Sequence, residues 1–150
     1  MNKITLKLYE IYGLQLELTG ISVQDKKTSP GLLDEKLSLV TKYWLSNLNE
    51  SLLKHIQSSE KLKGELIKKY GVEVEGGVSI FPTIEVDDEV TGLVSTIQNP
   101  DFITFTNEFN QLIQEEIEIE FHEFKLSEFN EVSSTSTYNV FYRLITFPTE

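Results

Sequence analysis

Two histidines, His55 and His122, are the side chains through which this chain could most readily move a proton or hold a metal ion. His55 stands in helical register with Ser51 and Ser59, four positions to either side, and neither is an ordinary metal ligand. No His-Glu-x-x-His pattern is present. His122 lies between Glu120 and Glu123, and on a strand Glu120 and His122 would share a face. That pair could serve a zinc ion or a proton relay, although a charge-assisted contact at a polar edge is the simpler account.

Carboxylates are the other chemical resource. Glu115, Glu116, Glu118, Glu120 and Glu123 form the densest cluster, and Asp87, Asp88 and Glu89 a second. General acid–base work needs a pocket that drives two such pKa values apart. Here the acids alternate with core-directed residues, which places them on a solvated face suited to docking against a basic partner. The second cluster lacks the spacing and the glycine of a calcium loop. Gly76-Gly77 has no Gly-Lys-Ser/Thr after it, and there is no Gly-x-Ser-x-Gly elbow. Asn49-Glu50-Ser51 matches a glycosylation sequon but falls inside a helical pattern. With no cysteine, thiol catalysis and cysteine-ligated zinc are excluded as well. The expectation is a non-enzymatic protein with no cofactor and no metal.

Charge narrows the class of partner. The chain of 150 residues has a net charge of −11. Residues 1–75 hold eleven lysines and ten acids, close to neutral, while residues 76–150 hold only Lys125 and Arg143 against fourteen acids. A field of that sign repels phosphate backbones, so no direct nucleic-acid contact is expected. No apolar run approaches the ~18 residues of a membrane span, and Met1-Asn2-Lys3 leads into no signal-peptide core. These features predict a soluble intracellular protein without membrane contact. Lysine outnumbers arginine twelve to one and alanine is absent, a bias of a genome poor in G and C.

The elements that must position these residues follow from periodicity. Near the N-terminus, a short strand over Lys3–Thr5 and a helix over about Leu6–Thr19, stopped by Gly20, are preferred to a hairpin turning near Gly13. Residues 20–31 read as a polar loop. From about Leu33 to Tyr70, Leu37, Val40, Trp44, Leu48, Leu52, Ile56, Leu62, Leu66 and Tyr70 recur at helical spacing, with Gly64 the only interior glycine. Such a helix would span about 55 Å. A compact domain of this length is only about 30–35 Å across. The helix must therefore project, bend, break near Asn47-Leu48-Asn49, or pack on another chain. Its apolar stripe makes Leu37, Trp44 and Leu48 candidate partner-binding residues, beside Glu115, Glu116, Glu118 and Glu120 of the acidic face. Gly71 reads as the C-terminal stop.

Beyond Gly71 the period shortens. Val72, Val74 and Val78 flank Gly76-Gly77 as two short strands, with Ile80, Ile84 and Val86 continuing the alternation past Pro82. The segment between Asp87 and Asp101 is left unassigned. Asp101 reads as the cap of a helix to about Glu116, followed by an acidic strand through Ile117, Ile119 and Phe121. Ser133 to Thr137 reads as a polar linker, and Tyr138–Ile145 as a short helix in preference to a strand. Together these predict one α+β domain over residues 1–150. It comprises a short N-terminal helix, a long amphipathic helix at about 33–70, a small antiparallel β region, and one or two shorter C-terminal helices in an acidic part at about 72–150.

Gly31-Leu32-Leu33, Lys36-Leu37-Ser38-Leu39, Lys42-Tyr43-Trp44-Leu45 and Glu65-Leu66-Ile67-Lys68-Lys69-Tyr70-Gly71, with the later Phe109, Leu112-Ile113, Glu115 and Glu118-Ile119-Glu120, form a further pattern. Over about 100 residues it resembles small acidic proteins of tailed phages and prophages whose long helix ends in a Lys-Lys-Tyr-Gly stop. The resemblance implies a virion structural or assembly component acting through protein–protein contacts. Its partners would be other phage or host proteins or further copies of itself, in the host cytoplasm or the virion. The alternative is a small acidic inhibitor occupying the basic nucleic-acid-binding cleft of a host enzyme.

Overall fold

The computed structural model describes residues 1–24, 26–132 and 138–148, and its fold is α+β. The segment Ser133 to Thr137 lies outside the described residues. The chain divides into two units, Met1–Gln57 with Glu115–Glu150, and Ser58–Gln114.

The first unit opens with β1 (Asn2–Lys7) and α1 (Leu8–Thr19). Leu8, Ile11, Leu14 and Leu18 form the buried face of α1, spaced by three or four residues. Gly20 ends the helix at φ 86°, a conformation few other residues adopt. Residues 20–31 are not a loop: β2 (Gly20–Val23) and β3 (Lys26–Pro30) pair antiparallel through a register shift. The sequence of β3, Lys26 to Pro30, holds no apolar alternation, which is why the pair reads as a loop from sequence.

The long helix, α2, runs over Leu39–Tyr70, six residues shorter at its start than its periodicity suggests. Leu32–Asp34 form a 3-10 turn, and the Gly31 amide donates to Asp34 Oδ2 at 3.0 Å. The Thr41 amide then donates to Ser38 Oγ at 3.1 Å, so Ser38 caps α2 and fixes where it begins. The helix continues unbroken through Asn47-Leu48-Asn49. Its first half contributes Leu45, Leu48 and Leu52 to the core of the first unit.

That core is completed from far along the chain. Strand β8 (Glu116–Phe121) pairs antiparallel with β1, aligning Ile4 with Ile119 and Leu6 with Ile117. β9 (Phe124–Lys125) pairs in parallel with β10 (Ile145–Thr146), and between them lie 3-10 turns at Leu126–Phe129 and Phe141–Leu144. The segment Tyr138–Ile145, expected as a helix, is thus a 3-10 turn leading into a strand. Phe124, Phe129 and Phe141 form a triangle of rings with centroids 5.3–6.2 Å apart.

The second unit carries the end of α2, two hairpins and a helix. β4 (Val72–Val74) and β5 (Gly77–Ser79) pair across the expected turn, with Gly76 at φ 89°. Gly71 follows α2 for a different reason from a left-handed stop. A Cβ there would lie 2.4 Å from the Ile67 carbonyl oxygen and 2.8 Å from that of Ser79. The alternation at Ile84 and Val86 is β6 (Thr83–Asp87), and the unassigned segment after Asp87 supplies the turn and β7 (Val94–Gln98), which pairs antiparallel with it as a second hairpin. Helix α3 spans Pro100–Ile113, and its cap is Asn99, not Asp101: Asn99 Oδ1 accepts the Asp101 amide at 3.1 Å, with Pro100 in the first turn. The Tyr70 hydroxyl donates to Glu108 Oε1 at 3.2 Å, tying the end of α2 to α3.

Candidate partner-binding surfaces

The acidic strand is built by a charge match. Because β1 and β8 pair in register, Lys3 faces Glu120 and Lys7 faces Glu116, with Thr5 opposite Glu118 between them. Lys3 Nζ sits 3.5 Å from both Glu118 and Glu120, all three well exposed. The carboxylate of Glu118, then that of Glu120, holds the Lys3 ammonium above its ordinary pKa. Glu115, Glu116, Glu118 and Glu120 are all exposed, and the Glu115 carbonyl accepts the Leu8 amide at 2.9 Å. The row is therefore a solvated face partly neutralised by β1.

The residues expected on the apolar stripe divide. Leu48 is 2% exposed and belongs to the core, so it offers nothing to a partner. Trp44 is half-buried against His122, the rings stacked at 4.2 Å. Half-buried Leu37 lines an open cleft of about 900 Å³ beside Ser38, Thr41 and Glu128. In that cleft the Ser38 hydroxyl donates to Thr41 Oγ1 at 2.9 Å, and the Thr41 hydroxyl donates to Glu128 Oε1 at 3.0 Å. Glu128 Oε2 accepts the Lys125 amide at 2.7 Å. Both carboxylate oxygens are thus engaged, Oε1 in fastening the start of α2 to the Leu126–Phe129 turn and Oε2 in closing that turn. A carboxylate so committed is a structural strut and not a base poised over a substrate. Among the described residues, no group of three His, Asp or Glu side chains is placed to hold a metal ion, and no helix is long and apolar enough to cross a membrane.

Two contacts of the first unit escape local pattern. Glu17 accepts the amides of Val140 and Phe141 at 3.1–3.2 Å. Burial pushes its carboxyl above the ordinary carboxylate range, with those amides pulling the other way. Arg143, the only arginine, pairs with Glu10. Sequence separations above 120 residues conceal both.

The surface most in need of cover is in the second unit. Among the described residues, its only buried apolar side chain is Phe105, still 9% exposed, whereas the first unit buries fourteen. The β6–β7 register pairs Ile84 with Ile97 and Val86 with Ser95. One face of this ribbon therefore carries Ile84, Val86 and Ile97, which are 38%, 42% and 44% exposed. The turn beyond it is closed by its own hydrogen bonds. Asp88 Oδ1 accepts the amides of Val90 at 2.8 Å and Thr91 at 3.2 Å, and the Gly92 amide donates to the Asp88 carbonyl at 2.8 Å. This ordered tip presents Val90 and Leu93, 94% and 67% exposed. Sequence alternation revealed β6, but the run Leu93–Gln98, without charge and with only two of its residues in clear alternation, gave no comparable signal.

Compared with protein-family models, curated proteins and solved structures, the chain matches none of them.

Proposed function

We propose that this is a non-enzymatic phage or prophage protein acting through protein–protein contacts, as a virion or assembly component. The observation that carries the reading is the uncovered apolar surface of the second unit, set out along two hairpins and a preformed tip. A two-stranded ribbon is marginal in water by itself. Exposed apolar patches of this kind mark interaction sites. The pattern-level likeness to small phage proteins supplies the biological setting.

An inhibitor that mimics nucleic acid would need its carboxylates uncompensated. Lys3 and Lys7 lie among those of β8, which favours the assembly reading. Mass spectrometry of purified particles, combined with light scattering on the isolated protein, tests it. The expected result is incorporation into the particle or a stable complex with an assembly protein. A strictly monomeric protein absent from particles and captured by no partner would overturn the reading.

A further inference from the structure

The β6–β7 ribbon has two edges of opposite character. The Asp88 amide donates to the Leu93 carbonyl at 2.8 Å, and the Asn99 amide to the Pro82 carbonyl at 2.9 Å. Antiparallel ladders alternate with a period of two, so these bonds set the phase for the whole ribbon. Leu93, Ser95, Ile97 and Asn99 direct their backbone groups toward β6. Val94, Thr96 and Gln98 turn theirs outward on β7, and Thr83, Glu85 and Asp87 do so on β6. The outer edge of β6 thus carries two carboxylates, the usual guard against unwanted pairing. The outer edge of β7 carries no charge and no proline, and among the described residues no strand pairs with it.

Building on the assembly reading, we propose that β7 takes up an extended segment of a partner protein as a third strand, one in which apolar residues alternate with lysine or arginine. The two faces of the ribbon dictate that alternation. On one, Ile97 stands directly beside an added strand and offers it apolar contact, with Ile84 and Val86 behind it on β6 continuing the apolar face. On the other, Glu85 and Asp87 lie across Thr96 and Val94, about 9.6 Å from the added strand at two strand spacings. A lysine or arginine side chain spans that distance, and no Lys or Arg of this chain lies anywhere between Tyr70 and Phe124. The molecule already contains this recognition chemistry, because β1 joins β8 by setting Ile4 and Leu6 on Ile119 and Ile117 while Lys3 and Lys7 meet glutamates. That strand is engaged with β8, so a second copy has no free β1 to offer. Strand addition of this kind draws affinity from the backbone and specificity from alternate side chains.

The probe is a nine-residue peptide alternating lysine with isoleucine or valine, with a glutamate-for-lysine version as control. Amide hydrogen exchange is read by NMR on the full chain. The expected result is new protection at Val94, Thr96 and Gln98 but not at Ser95 and Ile97, with binding that weakens as salt rises. Thr96→Pro removes an outward amide without taking a bond from the ladder and should weaken binding at least tenfold. Thr96→Lys, which guards the edge by charge, should do the same, and retained protection at Ser95 and Ile97 confirms that the hairpin persists in either variant. Equal binding of the glutamate peptide, protection lacking the alternation, or protection that grows with protein concentration without peptide would overturn the proposal, the last by identifying a second copy as the occupant. A Thr96→Lys protein that still enters particles would overturn the edge and leave the assembly reading standing. Capture of the lysine peptide by a protein found in no particle or complex would overturn the assembly reading alone.

Discussion

Trp44 and His122 stack face to face, their ring centroids 4.2 Å apart and their planes 8° from parallel. The contact joins the first half of α2 to the residue that follows β8, so it reports on whether two segments 78 positions apart in sequence have docked.

Trp44 is the only tryptophan, which makes this stack directly observable. His122→Ala should change the tryptophan emission in the native state and cost about 0.5–1.5 kcal/mol of stability, the usual worth of an aromatic pair. Urea unfolding followed by fluorescence measures both. Unchanged emission would mean the rings do not meet in solution.

Leu52 is fully buried in the first unit, and Leu52→Ala should cost about 2–5 kcal/mol through lost burial and the cavity left behind. Gly31→Ala should be damaging for a different reason. Its Cβ would lie 2.4 Å from the Gly20 nitrogen and from the Thr19 carbonyl carbon, so backbone must move. Thermal unfolding compares the two variants, and a native-like midpoint for Gly31→Ala would contradict this packing.

Gly64 offers the opposite case. A Cβ added there meets nothing within 4 Å, and the residue lies inside α2. Gly64→Ala should stabilise the protein by about 0.5–1 kcal/mol, because alanine has less backbone freedom to lose on folding. A higher denaturation midpoint checks it, and a loss of stability would argue against an uninterrupted helix at this point.

Asp88 organises the hairpin tip, and the amides of Val90 and then Thr91 hold its carboxyl below its ordinary value of 3.8. A depressed native pKa contributes stability above the unfolded value that disappears as pH falls through the native one. Amide exchange at Val90 and Thr91, corrected for intrinsic rates, should therefore quicken as pH is lowered from about 5 to below 3.8, and Asp88→Ala should show the fast behaviour throughout.

Glu17 should respond with the other sign. Burial raises its carboxyl above the ordinary value of 4.5, so the native state takes up a proton before the unfolded chain does. Its contribution to stability should grow as pH falls through the raised native value and level off below 4.5. The difference between wild type and Glu17→Gln, measured by urea unfolding across that window, isolates it.

Local pattern carried the helices and the turn of the first hairpin. The 3.6-residue period of α2, the breaker pair Gly76-Gly77 and the aromatic face of α3 are each written within a few neighbouring positions. Three features were not. The β1–β8 ladder joins residues more than 100 positions apart, although Lys3 and Lys7 against Glu116 and Glu120 form a legible charge match once the strands are aligned. The β2–β3 hairpin is polar and carries a register shift, so alternation does not reveal it. β7 pairs through its backbone and leaves every side chain exposed, so no half-buried face imprinted an alternating pattern upon it. Of the candidate contact residues, the acidic row came out exposed because its acids alternate with core positions. Leu48 came out buried because periodicity marks an apolar face without saying what covers it.

The absence of any lysine or arginine between Lys69 and Lys125 has a practical side. Trypsin cuts only after those residues, so digestion releases nearly the whole span of hairpins and α3 as a single peptide of 56 residues. Proteomic surveys that rely on short tryptic fragments will sample the helical lysines and pass over the hairpins with their exposed apolar side chains. A protease that cleaves after glutamate opens that region at Glu73, Glu75, Glu85, Glu89 and Glu108, and it is the enzyme of choice for cross-linking and footprinting on this molecule.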